Sequence, residues 1–173
     1  MKKKIKSIND IDINKTCFFT GHRKIPKEVH SILDLQLNDT ISTKYKEGIR
    51  NFISGGALGF DTVAADFVLQ LKKNSFPDIN LILFLPCKDF TYKWKQSDLD
   101  ALNNLIKNAA FVYYTGETYT KDCMRVRNDA LVQYSCCGIA CLSHMRSGTS
   151  QTVSIAQKAN KPVENIYANA DIF

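Results

Sequence analysis

At 173 residues, with 45% apolar and 23% charged side chains, the chain has the size and composition of one globular domain with its own core, which excludes a disordered or fibrous protein. Its formal charge of +6 is concentrated at the start, where Lys2, Lys3, Lys4 and Lys6 lie, so the body is close to balance and attraction to nucleic acid ranks low. The longest apolar run, LILFL at 81–85, is too short to cross a bilayer.

Residues 1–15 read as a basic N-terminal tail ahead of a single domain at 16–173. SINDIDINK follows the lysines where an export signal needs an unbroken apolar segment, so a cytoplasmic protein with no membrane partner is expected. The first strand is TCFFT at 16–20, and an amphipathic helix follows in which Val29, Leu33 and Leu37 recur every four positions with Ile32 beside them. Gly48 after KYKE reads as its stop. NFIS (51–54) gives the second strand, and Val63, Phe67 and Leu71 mark the next helix. LILFLP (81–86) is followed by the helical spacing of Leu99, Leu102, Ile106 and Ala109, and AFVYY (110–114) by a stretch at 115–123 that reads as loop. Met124, Leu131 and Tyr134 share a helix face, GIACL (138–142) is the fifth strand, Val153, Ala156 and Ala159 the last helix, and PVENIY (162–167) the last strand after the stop NKP.

Strand and helix thus alternate from end to end, which predicts a single α/β domain: a mainly parallel sheet with helices on both faces. CFF and LILFL are apolar at every position, as strands covered on both sides require. The six cysteines read as reduced thiols. Cys136, Cys137, Cys141 and His144 could converge on zinc only against strand alternation, which turns Cys136 away from Cys137 and Cys141, so neither a metal nor a cofactor is expected.

In an open α/β sheet the functional crevice lies at the carboxyl ends of the strands. The unusual residues gather there: TGHR (20–23) after the first strand, SGGALGFD (54–61) after the second, PC (86–87) after the third and SHMRSGTSQT (143–152) after the fifth. Gly55, Gly56 and Gly59 lead into a helix that Asp61 could cap, and a loop without Cβ atoms lets amide groups and the positive helix end approach an anion. Gly148 and Thr149 repeat the device at the last helix, so the two helix mouths are expected to form a joint seat for negative charge, with His22 and Arg23 adding positive charge. The bland alternatives are that the glycines only make βα turns and that His22 bonds to nearby backbone. GGxxG is not the dinucleotide fingerprint, and without a following Lys-Ser/Thr it is not a P-loop. Tyr92 and Trp94 either stack on a base or cover the core, the second being preferred.

CFFTGHRKIP, FISGGALGFDTVAADFVL, LILFLPC with Trp94 downstream, CMRVRNDALV and RSGTSQTV, in that order over roughly 16–167, resemble the YpsA-like branch of the SLOG superfamily, which takes its name from the DNA-processing protein A and Lonely Guy proteins. The resemblance implies a Rossmann-like fold and binding of a nucleotide or nucleotide-derived metabolite. It carries over as ligand-binding residues Gly21, His22, Arg23, Ser54, Gly55, Gly56, Gly59, Asp61, Arg127, Asn128, Gly148 and Thr149. Of Arg125 and Arg127, about 200° apart on a helix, Arg127 is the one expected to face the crevice. The Lonely Guy enzymes cleave nucleoside monophosphates at the N-glycosidic bond, with a glutamate three positions beyond the threonine of their glycine motif. Here Thr152 stands at that place, and Asp61, Glu117 or Asp129 would have to substitute.

Three functions are therefore weighed: a sensor or regulator binding a phosphate-bearing small molecule, a nucleotide N-glycosidase, and a module for single-stranded nucleic acid, the last least favoured because the body lacks net charge. No catalytic residue is assigned. A homo-oligomer follows only from how relatives assemble.

Overall fold

The computed structural model describes residues 4–167; Lys2 and Lys3 lie outside them. Six strands form one parallel sheet in the order β4-β3-β2-β1-β5-β6: β1 (Thr16–Gly21), β2 (Asn51–Ser54), β3 (Asn80–Leu85), β4 (Phe111–Tyr114), β5 (Cys137–Cys141) and β6 (Val163–Asn165). Five helices connect them: α1 (His30–Lys46), α2 (Phe60–Asn74), α3 (Gln96–Asn108), α4 (Cys123–Gln133) and α5 (Gly148–Lys158). This is the Rossmann-like α/β architecture that the alternation of runs predicts.

Alternation along each strand divides the core between two faces. Cys17, Phe19, Phe52, Leu81, Leu83 and Leu85 point to one face, where Leu33, Leu37 and Ile41 of α1, Ala64 and Val68 of α2 and Leu102 and Leu105 of α3 bury against them. Phe18, Ile53, Ile82 and Phe84 point to the other, covered by Leu131 and Val132 of α4 and Ala156 of α5. Burying one phenylalanine of this kind contributes roughly 1.5–3 kcal/mol, so the central strands hold the sheet together by their side chains as much as by their ladders.

The segment before β1 joins this packing. Ile8–Asp10 and Ile13–Lys15 are 3-10 turns, Ile11 is buried, and Ile5 and Ile8 pack against the second cluster. Apolar residues at 5, 8 and 11 amid the lysines and aspartates draw the strand of chain onto the sheet.

The chain builds outward from β1 to β4, then returns so that β5 pairs with the opposite edge of β1, from Cys17↔Cys137 to Gly21↔Cys141. The reversal lies between β1 and β5, the topological switch point, where the loops leaving the two strands run to opposite faces and open a crevice. All six cysteines are free thiols, and all but Cys136 are buried. Among the described residues no helix is long and apolar enough to cross a membrane.

Candidate functional site

At the carboxyl edge of β1 and β5 lies a cavity of about 290 Å³ lined by Thr20, Gly21, His22 and Arg23 from the end of β1, Ala57 and Asp61 from the turn into α2, Met124, Arg127 and Asn128 from α4, and Ser147, Gly148 and Thr149 from the start of α5. Eight of the sequence-derived residues thus meet: Gly21, His22, Arg23, Asp61, Arg127, Asn128, Gly148 and Thr149. Ser54, Gly55, Gly56 and Gly59 do not line it; they stand behind its wall.

Their placement gives the glycine cluster a different job from the one expected. Gly59, at φ 80°, lies where a Cβ would collide with the backbone carbonyls of His22 and Arg23, so the turn after β2 rests directly on the exit of β1. A Cβ on Gly55 would collide with the Arg127 guanidinium. Gly56 faces Leu85, inside the core. Ser54 fastens the turn, its Oγ donating to the Asp61 carbonyl at 2.9 Å and accepting from the Gly56 N–H at 3.2 Å. The mouth of α2 is partly taken as well, because the Phe60 N–H donates to the His22 carbonyl at 3.2 Å. The expected joint seat of two helix mouths is therefore corrected: α5 supplies the open one.

Ser147 caps α5. Its Oγ accepts from the Ser150 N–H at 3.1 Å, while the Ser150 Oγ accepts from the Ser147 N–H at 2.9 Å. This pair uses the amide of the third helical residue and leaves those of Gly148 and Thr149, which line the cavity, as the first-turn donors with no intrahelical acceptor. A Cβ on Gly148 would meet nothing within 4 Å, so the approach is open. Two amides at the positive end of an eleven-residue helix thus face the cavity as donors.

Opposite them, Arg127 reaches in from α4. Nη1 donates to the Gly55 carbonyl and Nε to the Asn128 Oδ1 at 2.8 Å, which fixes the guanidinium plane beside Asp61. Arg125 points outward to Asp122 and Asp129, as the helical spacing predicts. Asp61 is only 4% exposed, and its Oδ1 is buried without a hydrogen-bond partner among the described residues. Burial pushes its carboxyl up to about 6, against the pull of Arg127, the Ala57 amide and Arg23. A buried carboxylate oxygen with an unused lone pair, in the wall of a polar cavity, can accept from a hydroxyl or amine.

His22 differs from expectation. Its Nε2 accepts the Ser143 N–H at 2.9 Å, and its ring stacks on His144 at 4.0 Å between centroids. Burial first and His144 second lower its pKa, so it stands neutral with the proton on Nδ1 and offers a donor, not positive charge. The cation in this part of the wall is Arg23, which is exposed. Thr152 sends its hydroxyl to the Gly148 carbonyl at 2.9 Å and is fully buried. Of the carboxylates considered as substitutes, Asp129 pairs with Arg125 on the outer face of α4 and Glu117 lines a separate small pocket beside Pro86, which leaves Asp61 as the acid in the cavity.

Sequence reasoning missed Thr20, Ala57, Met124 and Ser147 as lining residues. Ser147 carried a readable signal, a serine three positions before another at a helix start; the others are placed by tertiary packing.

A parallel α/β sheet with an open helix mouth and a buried carboxyl and guanidinium in the cavity wall at its switch point defines the class: a Rossmann-like domain with a crevice at the carboxyl ends of its strands. The sequence pattern of the family described as the YspA SLOG family matches residues 18–169, and the chain belongs to that family. Curated relatives are UPF0398 proteins. That of Lactiplantibacillus plantarum is 26% identical over 80 residues, 46% of this chain and 42% of the relative. One from Staphylococcus epidermidis is 28% identical over 104 residues, 56% of this chain and 55% of the relative. The chain thus aligns with about half the length of these relatives. Among solved structures it is similar to DNA processing protein A from Helicobacter pylori, with a TM-score of 0.64 and 20% identity over 88% of this chain and 65% of that one, a structure described by its single-stranded DNA binding mode. The protein of the same name from Streptococcus pneumoniae gives 0.63 and 19% over 87% and 49%.

These neighbours overturn the low rank given to nucleic acid as a partner. That rank rested on net charge, a property of the whole surface, whereas a phosphate backbone responds to local charge.

Proposed function

We propose that the chain binds a phosphate-bearing nucleotide or nucleotide-derived ligand at the switch-point cavity, as a sensor or regulator. The phosphate rests on the Gly148 and Thr149 amides with Arg23 closing over it, and a sugar hydroxyl donates to Asp61. The observation that carries this reading is the unpartnered, buried Asp61 Oδ1 in the same cavity as the open mouth of α5. An unused acceptor there costs about 1–3 kcal/mol, which a ligand hydroxyl would recover.

Calorimetry with inorganic phosphate, ribose 5-phosphate and the four common nucleoside 5′-monophosphates tests it. Arg23→Ala, at an exposed position, leaves the fold intact and weakens every phosphate ligand by about tenfold, the loss of one charge-assisted bond. Absence of binding by the whole set, or equal affinity in the variant, refutes the reading.

A second reading, N-glycosidic cleavage, draws on the Asp61 carboxyl pushed up to about 6, within the range useful for general acid–base work. Its readout is free base released from a nucleoside monophosphate and lost in Asp61→Asn.

A further inference from the structure

The crevice continues beyond the phosphate seat. A second cavity of about 380 Å³, between the loop after β3 and the segment leading into α4, is lined by Phe90, Tyr92, Trp94 and Tyr119 and shares Arg23, Ala57, Met124 and Arg127 with the first as common wall. Two of the four rings serve the core: Phe90 is buried, and Trp94 packs edge-on against it at 5.3 Å. The other two do not. Tyr92 is 67% exposed and Tyr119 50% exposed, and they meet edge to face at 6.2 Å. Exposed rings held together at the mouth of a cavity present apolar faces to whatever enters it.

We propose that this aromatic chamber seats a nucleobase whose phosphate lies in the first cavity. The inference rests on the phosphate-binding reading above and adds the part of the ligand that the first cavity does not accommodate. That cavity alone is at the lower edge of the range for ligand sites, about 300–1,000 Å³, and the second brings the crevice well inside it. The shared wall carries Arg23 and Arg127, where the phosphate joins the rest of the ligand, and on the far side the aromatic surface begins, with the Lys93 ammonium 5.1 Å from the Tyr92 ring centroid. A base between such rings is held by stacking, worth roughly 1–3 kcal/mol per base on truncation of the aromatic partner. A free mononucleotide and a nucleotide within single-stranded DNA present the same phosphate-linked base, and the chemistry of the chamber suits both.

Trp94 is the only tryptophan of the chain, so its emission reports directly on the chamber. The full chain is titrated with ribose 5-phosphate, with the four nucleoside 5′-monophosphates and with a short single-stranded oligothymidylate, by calorimetry and by fluorescence. The expected result is that at least one base-bearing ligand binds about tenfold more tightly than ribose 5-phosphate and alone quenches Trp94. Tyr92→Ala, or Tyr119→Ala as a second exposed variant, removes that advantage and leaves ribose 5-phosphate affinity unchanged, whereas Arg23→Ala weakens all of them. Tight binding and quenching by the oligonucleotide but by none of the mononucleotides supports the chamber and assigns its base to a strand. Binding of ribose 5-phosphate as tight as that of every base-bearing ligand, or full affinity in both tyrosine variants, overturns the aromatic subsite while the phosphate seat stands. Binding of none of them overturns both.

Discussion

Asp61→Asn separates the electrostatic part of the site from its shape. In the folded chain burial raises the carboxyl from 3.8 to about 6, so between those values the native state holds the proton more tightly than the unfolded chain does. The contribution to stability is therefore full below 3.8, falls as pH rises through about 6, and is flat above it. At 1.36 kcal/mol per pKa unit the whole cost of keeping Asp61 ionised is ~3 kcal/mol, of which ~2 kcal/mol develops between pH 4.5 and 7.5. Asparagine does not titrate, and whatever it costs to leave Arg127 without its carboxylate is the same at both pH values, because the guanidinium remains charged. Urea unfolding of both proteins at the two pH values gives the quantity directly: the wild type should lose ~2 kcal/mol more than the variant on going from pH 4.5 to 7.5. Identical pH dependence in the two proteins would refute the premise that Asp61 is held dry beside Arg127. A wild type that instead gained stability relative to the variant would show a carboxylate stabilised by its partners more than it is penalised by burial.

Two further outcomes follow from the same geometry. Gly59→Ala puts a Cβ into the backbone of Arg23 at a φ of 80° and should cost more than ~2 kcal/mol, while Gly148→Ala, which meets open space, should change stability by less than about 0.5 kcal/mol; thermal melts of the pair decide whether glycine is required by the turn or merely present in it. Arg127→Ala removes the donor to the Gly55 carbonyl and the charge that offsets the burial of Asp61, so a loss of ~1–3 kcal/mol in chemical denaturation is expected; no measurable loss would mean that the guanidinium is solvated in solution.

The sheet was legible because burial on both faces leaves short apolar runs, rich in β-branched and aromatic residues, between longer amphipathic stretches. CFF and LILFL are apolar at consecutive positions, and both belong to interior strands, β1 and β3, with a strand on either side and helices on both faces. The stops were legible as well: Gly48 follows α1 with φ of 104°, and α5 ends at Lys158, just ahead of NKP, whose proline excludes a further turn. The site was only half readable. A glycine in the sequence announces that no Cβ is tolerated but not on which side the obstacle lies, so Gly55 and Gly59, which admit Arg127 and the β1 exit, looked like groups cleared for a ligand. His22 looked cationic because its two neutralising influences, burial and the His144 ring, arrive from the far side of β5, with Ser143 121 positions away. Tyr119 could not be joined to Tyr92 from periodicity, since 115–123 has none; their meeting follows from β3 and β4 being adjacent, which places the loops that leave them side by side.

The pairing of β1 with β5 has a consequence for how the molecule is made. As the polypeptide leaves the ribosome, β1 gains β2 early, but its opposite edge stays bare until the segment around Cys136, which lies 120 positions beyond Thr16, has been synthesised. An unpaired apolar strand at the centre of a future sheet invites intermolecular addition for that whole interval. The start of α5 comes later still, so a product cut short between Cys141 and Gly148 would have its β1 edge covered but lack one wall of the switch-point cavity.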